Sequence, residues 1–473
     1  MKRIGFFLLS IMVATGAVAQ VEGTIHFMKS LPQVVNNNPA FRPLYKGHIG
    51  LPGSSVFVAY TNNGFTYTDL VSTQNGTTTA DLSRLSSTLR DKNFITQSFQ
   101  LDLFRMGFQL SPKFYLMGHV TAKTHAQIMI PKDVVGLFTD GTTPYVNGVA
   151  NLNSQLNGMG YLESALGASV EPVRNLRIGF RAKFLQGAAS VNTVRGDGQL
   201  IVDSNYNITA NANVQVTTSG INSLTNGNPA VSDLLKNTGF GLDAGATLEL
   251  IPGLTLGASI LDLGFISWKN DLRQYTLDPT TANYTFRGID VNRILDDQDG
   301  YLDEQMDSLK SRFELQESTG AAFRTTLPTR LLLSGEWQVI KNFSVGGLMV
   351  LQSYKERLNP TLVLSANKNF GRGLTTSFSY TLSNNGWNNL GVGVSLNMAP
   401  FQIYVVGDNL LRVPMALVAD GNMNRVINNA HFFNLRAGLN FVWGRIKTDD
   451  GKSRSTPTGS SRMADIRSKK RKR

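Results

Sequence analysis

Residues 390–398 read LGVGVSLNM, an alternation of apolar residues with glycine, serine or asparagine. Successive side chains of a β-strand point to opposite faces, so a period of two predicts a strand with one apolar face and one small or polar face. Such a strand separates an apolar environment from a polar one. The stretch therefore predicts a half-buried strand rather than a helix.

The same alternation recurs along the chain, at 176–184, 242–250, 254–260, 374–382 and 435–443. A soluble β-sandwich would produce this pattern as well. The lengths of the connections between strands have to distinguish the two architectures.

Short and long connections alternate along the chain. The tight turns are at 111–113, 172–175, 251–253, 339–342, 370–373 and 399–400. The other connections are long at 63–95, 131–160, 192–239, 269–320 and 412–430, and shorter at 355–360 and 383–387. Transmembrane barrels have short periplasmic turns and longer extracellular loops. Since lipid offers no hydrogen-bond partner, every strand edge in such a barrel is paired. The pattern predicts an all-β fold, a transmembrane antiparallel β-barrel of about 14 strands with both termini on the short-turn side.

The composition agrees with export to a membrane. Met1-Lys2-Arg3, an apolar run over 4–13 and Ala17-Val18-Ala19 form a secretory signal peptide, with cleavage expected after Ala19. The rest of the chain lacks an apolar run of about 18 residues, the length that a spanning helix requires. Only 16% of residues are charged, and the absence of cysteine excludes disulfides and thiolate sites.

The chain divides into four expected parts. Residues 1–19 are the signal peptide, 20–54 a periplasmic lead-in or a plug inside the barrel, and 55–445 the outer-membrane barrel. Residues 446–473 are a basic tail that we expect to be disordered when free. From residue 445 onward, eleven Lys or Arg face three Asp, a net charge of +8. Within an outer loop, residues 302–313 place apolar residues at helical spacing and predict a short amphipathic helix.

Several strings resemble an uncharacterised family of Bacteroidota outer-membrane barrels. They are NNNPAFRP (36–43), GLDAGATLELIPGLTLGASILDLGFISW (241–268), FRTTLPTR (323–330), FQIYVVGDNL (401–410) and FFNLRAGLNFVWG (432–444). That family is similar to the FadL-type fatty-acid transporters and to the PorP/SprF and PorV barrels of type IX secretion. The resemblance covers about residues 25 to 444, and the basic tail lies outside it. It implies the fold and the outer membrane of a Gram-negative bacterium, and it assigns no activity.

Two rows of basic side chains are expected to point into the lumen. His119, Lys123 and His125 alternate along one strand, and Arg177, Arg181 and Lys183 follow along a nearby one. One interpretation is a filter or a contact for an anionic ligand, in a lumen that is locally positive. The other is that a small barrel needs polar interior side chains to fill and solvate its lumen.

The sequence gives little support for a metal site or an enzymatic motif. His119 and His125 are about 20 Å apart along a strand, too far to share a metal ion. The acidic loop 296–300 fails as an EF-hand because Leu295 and Met306 occupy ligand positions. A solvated acidic loop is the simpler interpretation, with a looser surface calcium contact as the alternative. The five histidines, His26, His48, His119, His125 and His431, lie in no nucleophile motif, and no HExxH, GxSxG or P-loop string occurs.

Two functions remain, and neither is enzymatic or needs a cofactor. The first is passive transport of a hydrophobic or small solute, with outer-membrane lipid around the barrel. The second is a structural or interaction barrel that assists a type IX secretion or surface assembly. In either, the periplasmic tail could bind an anionic partner or peptidoglycan, with simple solubilisation as the alternative. An exported barrel excludes nucleic acid as the partner of the basic tail.

Overall fold

The structure is a computed structural model that describes residues 22–65, 69, 71–74, 77–226, 236–288, 301–355, 357–383, 386–409 and 432–446. It is all-β, and 14 antiparallel strands form one closed barrel, as the alternation predicted. No helix in these ranges is long and apolar enough to span a membrane. The signal peptide and residues 447–473 lie outside the described residues.

Two of the 14 barrel strands are interrupted. The strands are β1 in two segments (Tyr45–Gly50 and Ser55–Asn62), β2 (Lys92–Ser111), β3 (Phe114–Pro131), β4 (Gln155–Val173), β5 (Leu176–Val202), β6 (Asn237–Ile251), β7 (Leu254–Trp268), β8 in two segments (Phe323–Thr326 and Thr329–Ile340), β9 (Phe343–Tyr354), β10 (Arg357–Phe370), β11 (Leu374–Ser383), β12 (Gly386–Met398), β13 (Phe401–Asp408) and β14 (Phe432–Arg445).

The barrel closes between its first and last strands. Tyr45 pairs with Arg445 and Ser55 with Gly438, so both segments of β1 lie against β14. Both segments also pair with β2 on their other side. The expected boundary after residue 54 differs from this arrangement, because Tyr45–Gly50 is already part of the wall. Proline and glycine at 52 and 53, the latter at φ 79°, interrupt the strand without ending it.

The two faces of the strands meet different environments. On β11, Phe378 is 59% exposed on the outside, whereas Ser377 and Ser379 are buried inside. Aromatic side chains are exposed near the short turns, as in the girdles of membrane barrels; they include Phe114, Trp337, Phe370, Phe401 and Trp443. The apolar face of each strand therefore points outward and the polar face points into the lumen.

The connections at the end opposite the short turns carry additional structure. Their helices are Leu82–Thr88, Lys132–Thr139, Ile221–Asn226 and Tyr301–Arg312, with a 3₁₀ turn at Thr143–Tyr145. Tyr301–Arg312 confirms the helix predicted at 302–313. The end of β5 continues into an outer sheet with the strands Gly148–Asn151, Ile208–Ser219, Leu272–Leu277, Asn283–Phe286 and Gln316–Thr319. A separate hairpin pairs Val71–Gln74 with Thr77–Ala80. Much of the region expected as the loop 192–239 is thus strand.

Residues 22–44 lie inside the lumen and are called the plug segment below. They contain a short α-helix, Gly23–His26, and a 3₁₀ helix, Pro32–Asn36. Their hydrogen bonds reach opposite sides of the wall, to Ser169 on β4, Ser259 on β7 and Asn440 on β14. A segment that contacts strands all around a ring can only be within it.

Apolar packing holds the plug segment against the wall. Phe27 packs on Leu348, Val350 and Val363, and Leu31 packs beside Tyr404. Full burial of one such side chain contributes about 1.5–3 kcal/mol. The segment is consequently a docked part of the fold, although only its last residues adjoin a strand in sequence.

Candidate functional site

The two predicted basic rows are brought together by the strand between them. Strand β4 pairs with β3 on one side and β5 on the other, and it places Glu163 between the rows. The Glu163 carboxylate lies 2.9 Å from His119 Nε2 and 2.8 Å from Lys123 Nζ. Lys183 Nζ lies 3.6 Å from the same carboxylate. Sequence reasoning identified the cations and missed this carboxylate, although its position is in phase with the inward face of β4.

Lys183 is the centre of a second group of carboxylates. Its ammonium lies 2.8 Å from Asp243 Oδ1 and 2.5 Å from Asp262 Oδ1, and its side chain is 1% exposed. Arg181 pairs with Asp243 at 2.5 Å. Arg330 of β8 pairs with Asp262 at 2.8 Å. These ion pairs extend across β3–β8 and form a continuous charged layer through the middle of the lumen.

A local irregularity brings Asp262 into this layer. The register between β6 and β7 shifts between Leu242 and Ala244, and Asp262 has a φ of 58°. A β-bulge of this kind re-aims the side chain, and aspartate tolerates the left-handed conformation better than most residues. The Asp262 N–H donates to Asp243 Oδ1 at 2.6 Å. The bulge lets carboxylates from adjacent strands converge on one ammonium.

Buried charged side chains of the wall also contact the plug segment. Arg105 is held by Asp102 at 2.7 Å and donates to Asn36 Oδ1 of the plug segment at 3.1 Å. Glu22, at the start of the described plug segment, pairs with Arg436 of β14. Plug and wall are therefore joined by buried charge as well as by apolar packing.

The structure corrects the expectation of a locally positive lumen. Each cation of the layer faces at least one carboxylate, and the acids Glu163, Asp243 and Asp262 offset most of the charge of the predicted rows. Charges buried in a low-dielectric interior are stable only when they are paired. Each cation thus has an internal partner, and the layer is close to neutral.

Two of the six predicted residues lie apart from the layer. His125 accepts or donates at Nδ1 with Ser98 Oγ, 2.9 Å away, and its ring meets Tyr354 edge-on at 4.7 Å. Arg177 pairs with Glu171 at 3.1 Å near a short turn and is 32% exposed. Four of the predicted residues, His119, Lys123, Arg181 and Lys183, therefore form one site, His125 lies beside it, and Arg177 does not belong to it.

A small cavity adjoins the charged layer. Its volume is about 70 Å³, and its lining includes Ser98, Gln100, Lys123, Tyr161, Arg330 and Gln352. A water molecule needs roughly 10–15 Å³ of such space, so the cavity holds a few waters. In this conformation the cavity has room for water and not for an organic solute.

Beyond the charged layer, toward the long connections, the interior becomes apolar. Met159 and Tyr161 on β4 and Leu185 on β5 continue the inward phases of Glu163 and Lys183. They pack with Ile266, Trp268, Leu327 and Tyr354, all at most 8% exposed. Trp268 Nε1 donates to Thr325 Oγ1 at 2.8 Å, which satisfies its polar atom. We call this group the apolar lumen cluster; the residue periodicity alone did not reveal it.

No metal site can be assigned within the part of the chain that the structure describes. Within the ranges that the structure describes, no group of three or more His, Asp or Glu could hold a metal ion. The acidic loop 296–300 lies outside those ranges.

Comparison with known proteins gives a family and several structural similarities. A protein-family model described as a family of unknown function, DUF5723, matches residues 39–408. No curated protein matches the sequence. Among solved structures, a Pseudomonas aeruginosa FadL homologue is 10% identical, with 91% of this chain and 99% of that one covered and a TM-score of 0.40. The Pseudomonas putida toluene transporter TodX is 9% identical over 86% and 91% of the two chains, at a TM-score of 0.36. The Ralstonia pickettii toluene transporter TbuX is 9% identical over 92% and 97%, at 0.33.

Proposed function

Because the chain belongs to DUF5723, a family of unknown function, we propose its role from the geometry of the barrel. It lets a hydrophobic or small solute cross the outer membrane of a Gram-negative bacterium, without converting it chemically. The apolar outer surface and the aromatic girdle support the membrane location, with lipid as the partner of that surface.

One observation carries the proposal: the apolar lumen cluster. The interior of a water-filled porin is lined by polar side chains. Here Leu185, Ile266 and Trp268 pack together inside the lumen on the outer side of the charged layer, and each is 0% exposed. Apolar packing at this level of the lumen is unlike an aqueous pore, and when these side chains separate they favour a solute that itself gains from leaving water. This supports a hydrophobic solute over a hydrophilic one.

The described conformation is the closed state of the passage. The plug segment fills the short-turn half of the lumen, and the water-sized cavity is the space left beside the charged layer. Passage therefore requires part of the plug segment or of the layer to move. Since the buried apolar side chains of the plug segment each contribute about 1.5–3 kcal/mol, a partial displacement is cheaper than complete expulsion.

Uptake into liposomes tests this role. The purified protein is reconstituted, and entry of a fluorescent medium-chain fatty acid or a small aromatic hydrocarbon is followed against empty liposomes. We expect uptake by the wild type, and a several-fold decrease in Leu185→Asn, which places an amide in the apolar lumen cluster. Leu224→Asn is the matched control, because Leu224 is 46% exposed in an outer connection. Uptake no faster than in empty liposomes, with a folded barrel, would refute transport.

A second candidate, an interaction barrel, is favoured by the outer sheet. Five strands extend the wall beyond β5, and the four side chains of Gln316–Thr319 are all exposed. Strands at the border of a sheet are sites where a partner's strand can pair. We propose a protein of a type IX secretion or surface assembly as that partner, with the basic tail reaching an anionic periplasmic partner or peptidoglycan.

Native purification separates the two candidates. The protein is extracted in mild detergent, and co-eluting molecules are identified by mass spectrometry, for the full chain and for a chain ending at residue 446. A stoichiometric protein lost with the tail supports the assembly role. Retention of every partner after truncation removes the role of the tail, and a bound hydrophobic molecule without a protein partner supports transport.

A further inference from the structure

An apolar groove lies on the outer face of the barrel, across β2–β6. Its volume is about 380 Å³. The floor consists of the small residues Gly118, Ser164 and Ala182, on three adjacent strands. The rim consists of larger apolar side chains, namely Phe104, Met106, Val120, Leu166, Phe184 and Phe240.

The strand register explains why the wall is indented here. Gly118 and Ala182 flank Leu166 in one row across the strands, and Val120 and Phe184 flank Ser164 in the next, so each small residue leaves a gap beside a large one. The register of β2 shifts between Asp102 and Phe104, and Phe104 is 39% exposed on the outside. The bulge therefore turns Asp102 into the lumen, where it is 1% exposed, and Phe104 out onto the rim.

Two aromatic side chains of the rim contact each other, and charged side chains lie behind the floor on the lumen side. Phe184 and Phe240 meet edge to face at 5.8 Å, an arrangement that aromatic pairs prefer. On the lumen side of the floor, His119 and Lys183 are buried in the charged layer. These ion pairs hold the strands together on the lumen side of the groove. The groove therefore has a rigid floor and opens onto an apolar surface.

We propose that this groove binds one hydrocarbon chain of a membrane lipid. The groove is continuous with the apolar outer surface and faces the same surroundings, and the Ser164 hydroxyl is the one side-chain polar group of its outward floor and rim. An apolar cavity of about 150 Å³ already admits benzene, so the groove has room for a segment of an alkyl chain. The inference rests on the membrane location within the proposed function and is independent of transport.

Photolabelling tests the groove directly. The full chain is reconstituted into bilayers that contain a phospholipid with a diazirine on one acyl chain, irradiated, and digested for mass spectrometry. We expect labelling of the peptides around Phe104 and Met106 to exceed that of the outward residues of β12, such as Leu390 and Leu396, by several-fold. Ala182→Leu fills the floor and should reduce the excess to the level of β12. Ala258→Leu, an exposed outward position on β7 outside the groove, should leave it unchanged.

The outcomes test lipid binding in the groove separately from the membrane location of the barrel. Even labelling of all outward strands would overturn the groove and keep the membrane location. Labelling of no outward strand would overturn the location as well. A cross-link to a second copy of the chain at Phe104 or Met106 would make the groove a protein interface and overturn the lipid. The uptake assay bears on none of these results.

Discussion

Glu22 and Arg436 form a buried ion pair across 414 positions of sequence. Arg436 Nη2 lies 3.2 Å from Glu22 Oε2, and the guanidinium also donates to Ser55 and Gln100. Glu22 belongs to the plug segment and Arg436 to the last strand. The pair therefore fixes the start of the described plug segment to the seam where the barrel closes.

Glu22→Gln should loosen the plug segment. It leaves the Arg436 guanidinium buried without a counter-ion, and breaking such a pair costs about 3–5 kcal/mol. The measurement is protease cleavage within residues 22–44 in reconstituted protein, which we expect to accelerate. Lys29→Gln is the control, since the Lys29–Glu336 pair is partly exposed, Lys29 at 35%, and a pair of that kind contributes about 0–1 kcal/mol. Equal protease resistance of Glu22→Gln and wild type would contradict the tether.

Lys183→Met should destabilise the barrel more than any other single change in the charged layer. It removes the buried ammonium that Asp243 and Asp262 share. Each carboxylate then keeps a single cation, Arg181 for Asp243 and Arg330 for Asp262. The expected loss is on the order of 3–5 kcal/mol. The folded fraction is measured against urea by the heat-dependent shift in gel migration. Arg177→Met, at a 32% exposed pair, should change the midpoint little; similar midpoints for both variants would show that the layer is not a structural element.

Gly179→Val should displace the plug segment mechanically. A Cβ at Gly179 would lie 2.2 Å from the carbonyl atoms of Pro39, and backbone cannot yield as a flexible side chain can. We expect faster cleavage of residues 22–44 and a larger ion conductance in planar bilayers. Gly347→Val is the matched control, because nothing lies within 4 Å of a Cβ there. Unchanged conductance in Gly179→Val would indicate that the plug segment does not close the lumen.

Lys123→Gln should change which solutes pass. The Lys123 side chain is 15% exposed at the cavity, so its charge can meet a solute as well as Glu163. Uptake of a carboxylate-bearing solute should fall several-fold relative to a neutral analogue of the same chain length. In Arg177→Gln the ratio of the two rates should stay at the wild-type value. A change of that ratio in Arg177→Gln alone would contradict this role of Lys123 and would place the selective step at the short-turn end of the lumen.

Which side chains point outward and which point into the lumen could be predicted from sequence, because apolar and polar residues alternate along the strands. On β11 and β12 the expected outward residues are exposed, such as Phe378 and Leu396, or partly exposed, and the opposite face is buried. The sorting of short and long connections likewise predicted the number of strands, since it depends only on where glycine, proline and polar residues interrupt the alternation.

The site itself was harder to predict because it depends on contacts between strands. Asp243 lies in phase with the inward face of β6, and that phase is a signal that the sequence contained. Asp262 carries no such signal, since a bulge changes the phase of β7 at that residue. Register between neighbouring strands, rather than any property of one strand, decides that Glu163 meets Lys123 and Lys183.

The seam between β1 and β14 has a consequence for biogenesis. The first strand of the wall pairs with the last, so the cylinder can close only after β14 has joined the sheet. Until then β1 and β13 would each present an open edge, which hydrocarbon does not tolerate. Asn36 contacts Arg105 on one side of the seam and Glu22 contacts Arg436 on the other. The plug segment thus spans the seam from within, and its contact with Arg436 forms only as the final strand takes its place.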